Sequence, residues 1–228
     1  MKIEEFKSKL EEYLRVARID VNEEQCEKLY RYMIILKEWN EKINLTAIVG
    51  EEEILLKHFV DSLIIEEEIP ENGKIIDIGT GAGFPGIPLK ILREDLDITL
   101  IDSLNKRVKF LEEVISKLKL KEIRAIHTRA EDFAQEADER EVYDVSVSRA
   151  VANMSTLLEY MLPFVKIGGI SICMKGSNVE EELKESGKAI KILGGELREK
   201  REYMLPLTDV RKNNSCYKKT KINSKRIS

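Results

Sequence analysis

One stretch constrains this chain more than any other: Ile75-Ile76-Asp77-Ile78-Gly79-Thr80-Gly81-Ala82-Gly83-Phe84-Pro85-Gly86. Its apolar head has the length and β-branched character of a short buried strand. Its glycines allow a tight turn that brings backbone close to a ligand. The segment from Ile87 to Arg93 has helical spacing, and Pro85 fits the first turn of a helix. Strand, glycine turn and helix N-terminus in succession make a nucleotide-type site. Such a turn also serves simply to join strand to helix, so the rest of the chain must decide.

The spacing narrows the ligand. A dinucleotide loop has Gly-x-Gly-x-x-Gly, whereas here Gly79, Gly81 and Gly83 alternate and Phe84 stands where the third dinucleotide glycine belongs. With Asp77 two residues ahead, the stretch resembles the loop of S-adenosylmethionine-dependent methyltransferases.

The surrounding texture agrees with such a fold. Apolar stripes predict helices over 3–18, 23–39 and 51–66, with Asn22 followed by Glu23, Glu24 and Gln25 as a start signal for the second. After the Pro70-Glu71-Asn72-Gly73 turn, strand candidates at 74–78, 97–102, 122–127, 142–148 and 168–174 alternate with helical segments at 86–93, 104–118, 130–137 and 151–163. The expectation is an α/β, doubly wound core over 71–211 behind an N-terminal helical cap over 1–70.

Composition bounds the rest. With 43% hydrophobic and 35% charged residues this is an ordinary globular chain, and at net charge -4 any nucleic-acid contact must come from a local basic patch. Cys26, Cys173 and Cys216 are odd in number and in no metal spacing. They suggest a reducing compartment. An acidic N-terminus and the lack of a long apolar run lead us to expect a cytoplasmic protein with no membrane and no metal partner.

Asp102 ends the second strand, where a carboxylate can accept ribose hydroxyls; the order of strand, loop and acid favours that role over capping the helix that follows. Thr128-Arg129-Ala130-Glu131-Asp132 follows the third strand, where an acceptor could meet an adenine amine or merely favour a helix N-terminus. Arg149 closes the fourth strand and calls for an anionic partner, either a ligand or a structural acid such as Asp77 or Glu131. His127 reads as strand interior, and His58 with Asp61 as a structural pair. No Asn/Asp-Pro-Pro-aromatic motif follows the fourth strand, and Cys173 lies inside a strand, badly placed for a nucleophile. Methylation of guanine N7 fits this inventory, because its lone pair is free and no proton has to leave. Placement alone then carries much of the catalysis.

Further blocks make the resemblance specific: Trp39-Asn40 with Asn44-Leu45-Thr46, His58 with Asp61-Ser62-Leu63, Asp77 to Pro88, and Asp102-Ser103 with Lys106-Arg107. They continue with Arg129-Ala130-Glu131, Ser148-Arg149-Ala150-Val151, Leu162-Pro163 with Gly168-Gly169, Lys175-Gly176, and Leu205-Pro206 with Arg211. The chain resembles the bacterial 16S rRNA guanine-N7 methyltransferase family, once called glucose-inhibited division protein B. The resemblance implies a Rossmann-like class I methyltransferase sheet and methylation of a 16S rRNA guanine within a small-subunit ribosomal particle. We expect a monomer. It further implies S-adenosylmethionine bound by Gly79, Phe84, Asp102, Ala130, Glu131 and Arg149. Arg129, Lys175 and Arg211 are carried over as RNA-contacting or site-organising residues. No residue takes a general-base role.

The tail departs from the family. Lys212-Asn213-Asn214-Ser215-Cys216-Tyr217-Lys218-Lys219 is a poor candidate for an interior strand, and Thr220–Ser228 lacks the family's proline- and glycine-containing basic end. One choice of codons for Asn214–Ser228, read one base on, gives a β-branched run followed by a basic tail containing proline. We therefore expect residues 212–228 to be an atypical basic tail arising from a frameshift near 212–213, which the gene's DNA tests.

Overall fold

A computed structural model of the protein describes residues 1–149, 152–176 and 180–221. Its helical cap forms where the apolar stripes lie. α1 (Ile3–Ala17) buries Phe6, Leu10, Tyr13 and Leu14. α2 (Glu23–Ile43) starts from a capping box: the Asn22 side chain accepts the Gln25 backbone N–H, and the Gln25 side chain accepts that of Asn22. The third helical run is α3 (Glu51–Ile54), a π-helical stretch Leu55–Val60 and α4 (Asp61–Leu63). The π turn carries Lys57 and His58, and such turns often serve functional sites.

The alternating section comprises β1 (Lys74–Ile78), α5 (Gly86–Leu92), β2 (Asp97–Asp102), α6 (Asn105–Leu118), β3 (Ile123–His127), α7 (Ala130–Phe133), β4 (Tyr143–Arg149) and α8 (Met154–Met161). It continues with β5 (Val165–Lys175), α9 (Glu180–Ile192), β6 (Gly195–Met204) and β7 (Arg211–Lys219). The strands form one seven-stranded sheet in the order β3-β2-β1-β4-β5-β7-β6. The first five are parallel, and β7 runs antiparallel to both its neighbours. Strand alternation sorts the core into two layers. Ile75, Ile98, Leu100, Val145 and Val147 pack toward the cap and α5–α6, while Ile76, Ile78, Ile101 and Tyr143 pack with Phe133, Leu157 and Met161 of α7–α8.

Three readings of the sequence are corrected. His127 is exposed rather than interior, because β3 is an edge strand; its Nε2 meets the Ser103 carbonyl oxygen. α9 and β6 were not anticipated. β6 is a sheet edge whose Glu196–Glu202 run is almost wholly charged, so it shows no apolar alternation. Such charges also guard an open edge.

The poor last strand is in fact β7, paired from Ile170↔Lys218 to Lys175↔Asn213 with β5 and from Gly195↔Lys219 to Met204↔Arg211 with β6. Backbone groups on both edges supply that pairing whatever the side chains. The polar sequence shows itself inside instead. Asn213 Oδ1 is buried with no hydrogen-bond partner among the described residues, the buried Tyr217 hydroxyl has only the Ser186 and Ser215 hydroxyls for company, and the wholly buried Lys219 ammonium donates to the Leu162 carbonyl. Residues 222–228 of the expected tail lie outside the described residues, as do Ala150 and Val151.

Candidate active site

β1 has β2 on one side and β4 on the other, so the direction of winding reverses there and a crevice opens at the carboxyl ends of these strands. The glycine loop forms one wall. Gly79 and Gly81 have φ of 65° and 63°, in the left-handed region. A Cβ on Gly81 would meet nothing within 4 Å, so this part of the loop faces open space. Gly86 is the opposite case: a Cβ there would lie 2.3 Å from Leu100 Cδ2 and 2.9 Å from Asp77 Oδ2.

Asp77 holds the loop. Its Oδ2 accepts the Thr80 hydroxyl at 2.6 Å and the Gly86 N–H at 2.8 Å. Burial pushes this carboxyl up to about 6, against the pull of those two donors and of Arg149. The cap grips the same loop, since the Tyr32 hydroxyl donates to the Ala82 carbonyl and its ring stacks on both Phe59 and Phe84.

Two cavities adjoin along the crevice. The smaller, of about 260 Å³, is lined by Ile78, Ile101, Thr128, Arg129, Ala130, Glu131 and Tyr160. The larger, of about 540 Å³, lies between the glycine loop, the π turn and the segment 45–48, with Arg107, Arg149 and Lys212 in its walls. Gly79, Asp102 and Ser103 line both. At this junction Asp102 is 3% exposed. Its Oδ1 accepts the Leu104 N–H at 2.9 Å, and its Oδ2 accepts the Gly81 N–H at 3.0 Å and an Arg107 N–H at 3.3 Å. A carboxylate offers about four acceptor sites, so capacity remains for one further donor.

Arg149 is held from several sides. One nitrogen donates to the Lys57 carbonyl at 3.1 Å and to Asp61 Oδ2 at 3.3 Å; the other lies 3.0 Å from His58 Nδ1. Its guanidinium sits 4.9 Å from the Phe84 ring centroid, and the His58 ring stacks on Phe84 at 4.4 Å. Because arginine only donates, His58 Nδ1 must accept. Its Nε2–H then donates to Thr46 Oγ1 at 2.9 Å. Burial and the positive charge of Arg149 lower the imidazole to about 3, so it is neutral. Asp61 also accepts the Tyr203 hydroxyl at 2.9 Å and faces Lys212 Nζ at 3.6 Å.

Gly79, Phe84, Asp102, Ala130, Glu131 and Arg149 thus all line one or other cavity, and Arg129 joins them. Lys175 and Arg211 line neither. Lys175 is 10% exposed and held by the Ala152 carbonyl and by Glu182 at 2.9 Å. It is the neighbour of Arg211, Lys212, that reaches the cavity wall. The acid beside Arg149 is Asp61, not Asp77 or Glu131. Asp77 is bound to its own loop, and Glu131 is exposed on α7. The side chains of His58 and Asp61 therefore meet through Arg149, beside the backbone bond from the Asp61 N–H to the His58 carbonyl. A buried strand ending in arginine signalled that some acid was needed, but not which one.

The family model for rRNA small subunit methyltransferase G matches residues 25–205. The protein named Ribosomal RNA small subunit methyltransferase G from Clostridium botulinum (strain Loch Maree) is 49% identical over 224 residues, covering 97% of this chain and 94% of its own. That of Acetivibrio thermocellus is 52% identical over 202 residues, covering 88% and 83%. Among solved structures, M. jannaschii TYW2 in complex with AdoMet superposes with a TM-score of 0.54 at 15% identity, covering 70% of this chain and 76% of its own. That likeness shows the fold alone, a class I methyltransferase sheet. The two close relatives and the family match together show that the chain belongs to the rRNA small subunit methyltransferase G family.

Proposed function

We propose that the two cavities together form the site of methyl transfer, the smaller taking the nucleoside of S-adenosylmethionine and the larger its amino-acid arm and the target base. The reaction is that of the family: S-adenosylmethionine-dependent methylation of guanine N7 in 16S rRNA. The observation that carries the reading is Asp102, a buried carboxylate with one acceptor position left at the junction of the two cavities, beside a glycine turn open to the same space.

S-adenosylmethionine supplies an electrophilic methyl group, and the chain's residues do the rest. Ile78, Ile101 and Ala130 offer apolar surface to a purine ring, with Glu131 within the same wall as acceptor for an exocyclic amine. Asp102 accepts from a ribose hydroxyl. Lys57, Arg107, Arg149 and Lys212 give the larger cavity four cations against the acids Asp61 and Asp102, a balance that favours a carboxylate arm and RNA phosphates. Guanine N7 would accept that methyl group with a free lone pair and no proton to lose, so the chain need supply no general base. His58 supports this base-free account: both ring nitrogens are engaged and the ring is neutral, so it orients Arg149 and moves no proton. Arg149, clamped and stacked on Phe84, keeps the cavity wall rigid, which is what in-line transfer requires.

In this reading residues 1–70 act as a cap that shapes the pocket around the catalytic core, Lys212 stands in the larger cavity where the target base enters, and Arg129, exposed beside the smaller cavity, meets RNA outside the nucleoside site. Lys175 organises the segment beside Glu182 rather than touching RNA. A small-subunit particle is the substrate, the working unit is a monomer, and the location is the cytoplasm. Titration calorimetry with S-adenosylmethionine tests the first step. Wild type should bind, Asp102→Ala should bind at least about tenfold more weakly, and no binding by wild type contradicts the reading.

A further inference from the structure

Beside the larger cavity lies another, of about 310 Å³, between the last turns of α2 and the segment 44–49. The two share Thr46 and Ile48. Leu36, Ile48, Val49 and Ile54 give this chamber apolar walls, and Asn40 and Asn44 bring carboxamides to it. The block Trp39-Asn40 with Asn44-Leu45-Thr46 is part of what makes the sequence resemble its family; Leu45 and Thr46 face the transfer cavity, while Asn40 and Asn44 line only this chamber.

The partition between the chambers is fixed. Asn40 Oδ1 accepts the Thr46 N–H at 2.8 Å, and Thr46 Oγ1 accepts the Ile48 N–H at 3.1 Å. The same hydroxyl accepts from His58, so one hydrogen-bonded chain runs from this partition to Arg149. Charge separates the two chambers by the ligand each suits. The walls of the larger carry the cations Lys57, Arg107, Arg149 and Lys212 against the acids Asp61 and Asp102, whereas here the charged lining residues are Lys37 and Glu41, one of each sign. A phosphate finds no support in the smaller chamber. A neutral aromatic ring with donors and acceptors along one edge finds apolar walls for its faces and carboxamides for its edge, and edge hydrogen bonds are what distinguish one unstacked RNA base from another.

We propose that this chamber takes an unstacked nucleobase flanking the target guanine in the same RNA strand, so that the enzyme reads a neighbour as well as the base it methylates. The inference rests on the RNA-methyltransferase reading above.

Its test is steady-state methyl transfer to unmodified small-subunit particles by wild type, Asn44→Gly and Val49→Asp. Glycine suits the φ of 49° at Asn44 while removing the carboxamide. Val49 is 66% exposed, so an aspartate there alters the apolar rim without disturbing the core. Both variants should raise the KM for particles about fivefold or more, with kcat and affinity for S-adenosylhomocysteine unchanged. Particles reconstituted with an abasic flanking nucleotide should weaken wild type by a similar factor and abolish the penalty of the variants. Unchanged particle KM in both variants, or penalties that simply multiply with the abasic site, overturns the proposal while transfer by wild type keeps the parent reading. No transfer by wild type overturns both.

Discussion

Thr80→Val isolates the bond that shapes the glycine loop. Valine keeps the shape of threonine but removes the hydroxyl that donates to Asp77 Oδ2 at 2.6 Å. That leaves the Gly86 N–H as the remaining donor to a carboxyl whose Oδ1 has no partner among the described residues. A hydrogen bond to a charged group contributes about 1.5–3 kcal/mol, and one between neutral groups about 0.5–1.5. The loss must therefore depend on whether Asp77 is ionised. Its folded pKa, about 6, lies above the ordinary 3.8 because burial disfavours the charge. Between these values the native state binds more protons than the unfolded state, so the group's contribution to stability is full below about pH 4 and falls as pH rises through 6, by roughly 3 kcal/mol. Removing the hydroxyl raises the folded pKa further and deepens that fall. Urea unfolding of wild type and variant should show a destabilisation of about 1 kcal/mol near pH 5 that grows to about 2–3 kcal/mol near pH 8. A difference that is flat with pH, or absent, refutes the placing of an ionisable Asp77 beneath the loop.

The other predictions are more local. Gly86→Ala should cost about 1–3 kcal/mol in thermal or chemical unfolding, because its methyl would stand 2.3 Å from Leu100 Cδ2. His58→Leu should lower kcat/KM about 100-fold by freeing Arg149, whereas His58→Asn, which keeps an acceptor, should retain most activity; equal loss in both would show that acceptance from Arg149 is not the point. Tyr217→Phe alone should cost about 1 kcal/mol in thermal or chemical unfolding, because its buried hydroxyl hydrogen-bonds with Ser215 and Ser186, whereas Ser215→Ala combined with Tyr217→Phe removes both ends of one such bond and should cost less than the sum of the single variants; strict additivity would contradict this.

The elements that announce themselves in sequence are those whose neighbours are local. The Asn22 capping box, the run 74–78 and the run 97–102 each carry their signal within a few residues, and each is observed at that position. Asp102 reached the crevice because its strand length and order fix where a strand end falls. The rest depended on distant partners. Arg149 bonds Asp61, 88 residues away, and Tyr203 bonds the same acid from 142 residues away; no local pattern encodes either. Lys212 enters the site only because β7 inserts between β5 and β6. β7 itself defeats propensity: its side chains argue against an interior strand, while its backbone pairs on both edges and leaves the cost as buried polar side chains.

The most direct test of the whole account is transfer of labelled methyl from S-adenosylmethionine to small-subunit particles lacking the modification, with the modified base mapped. The account predicts a single 7-methylguanosine in 16S rRNA, with transfer by Asp102→Ala lowered about tenfold or more when S-adenosylmethionine is below saturation. Transfer to another atom or another RNA, or no transfer by a chain that binds S-adenosylmethionine, would contradict it.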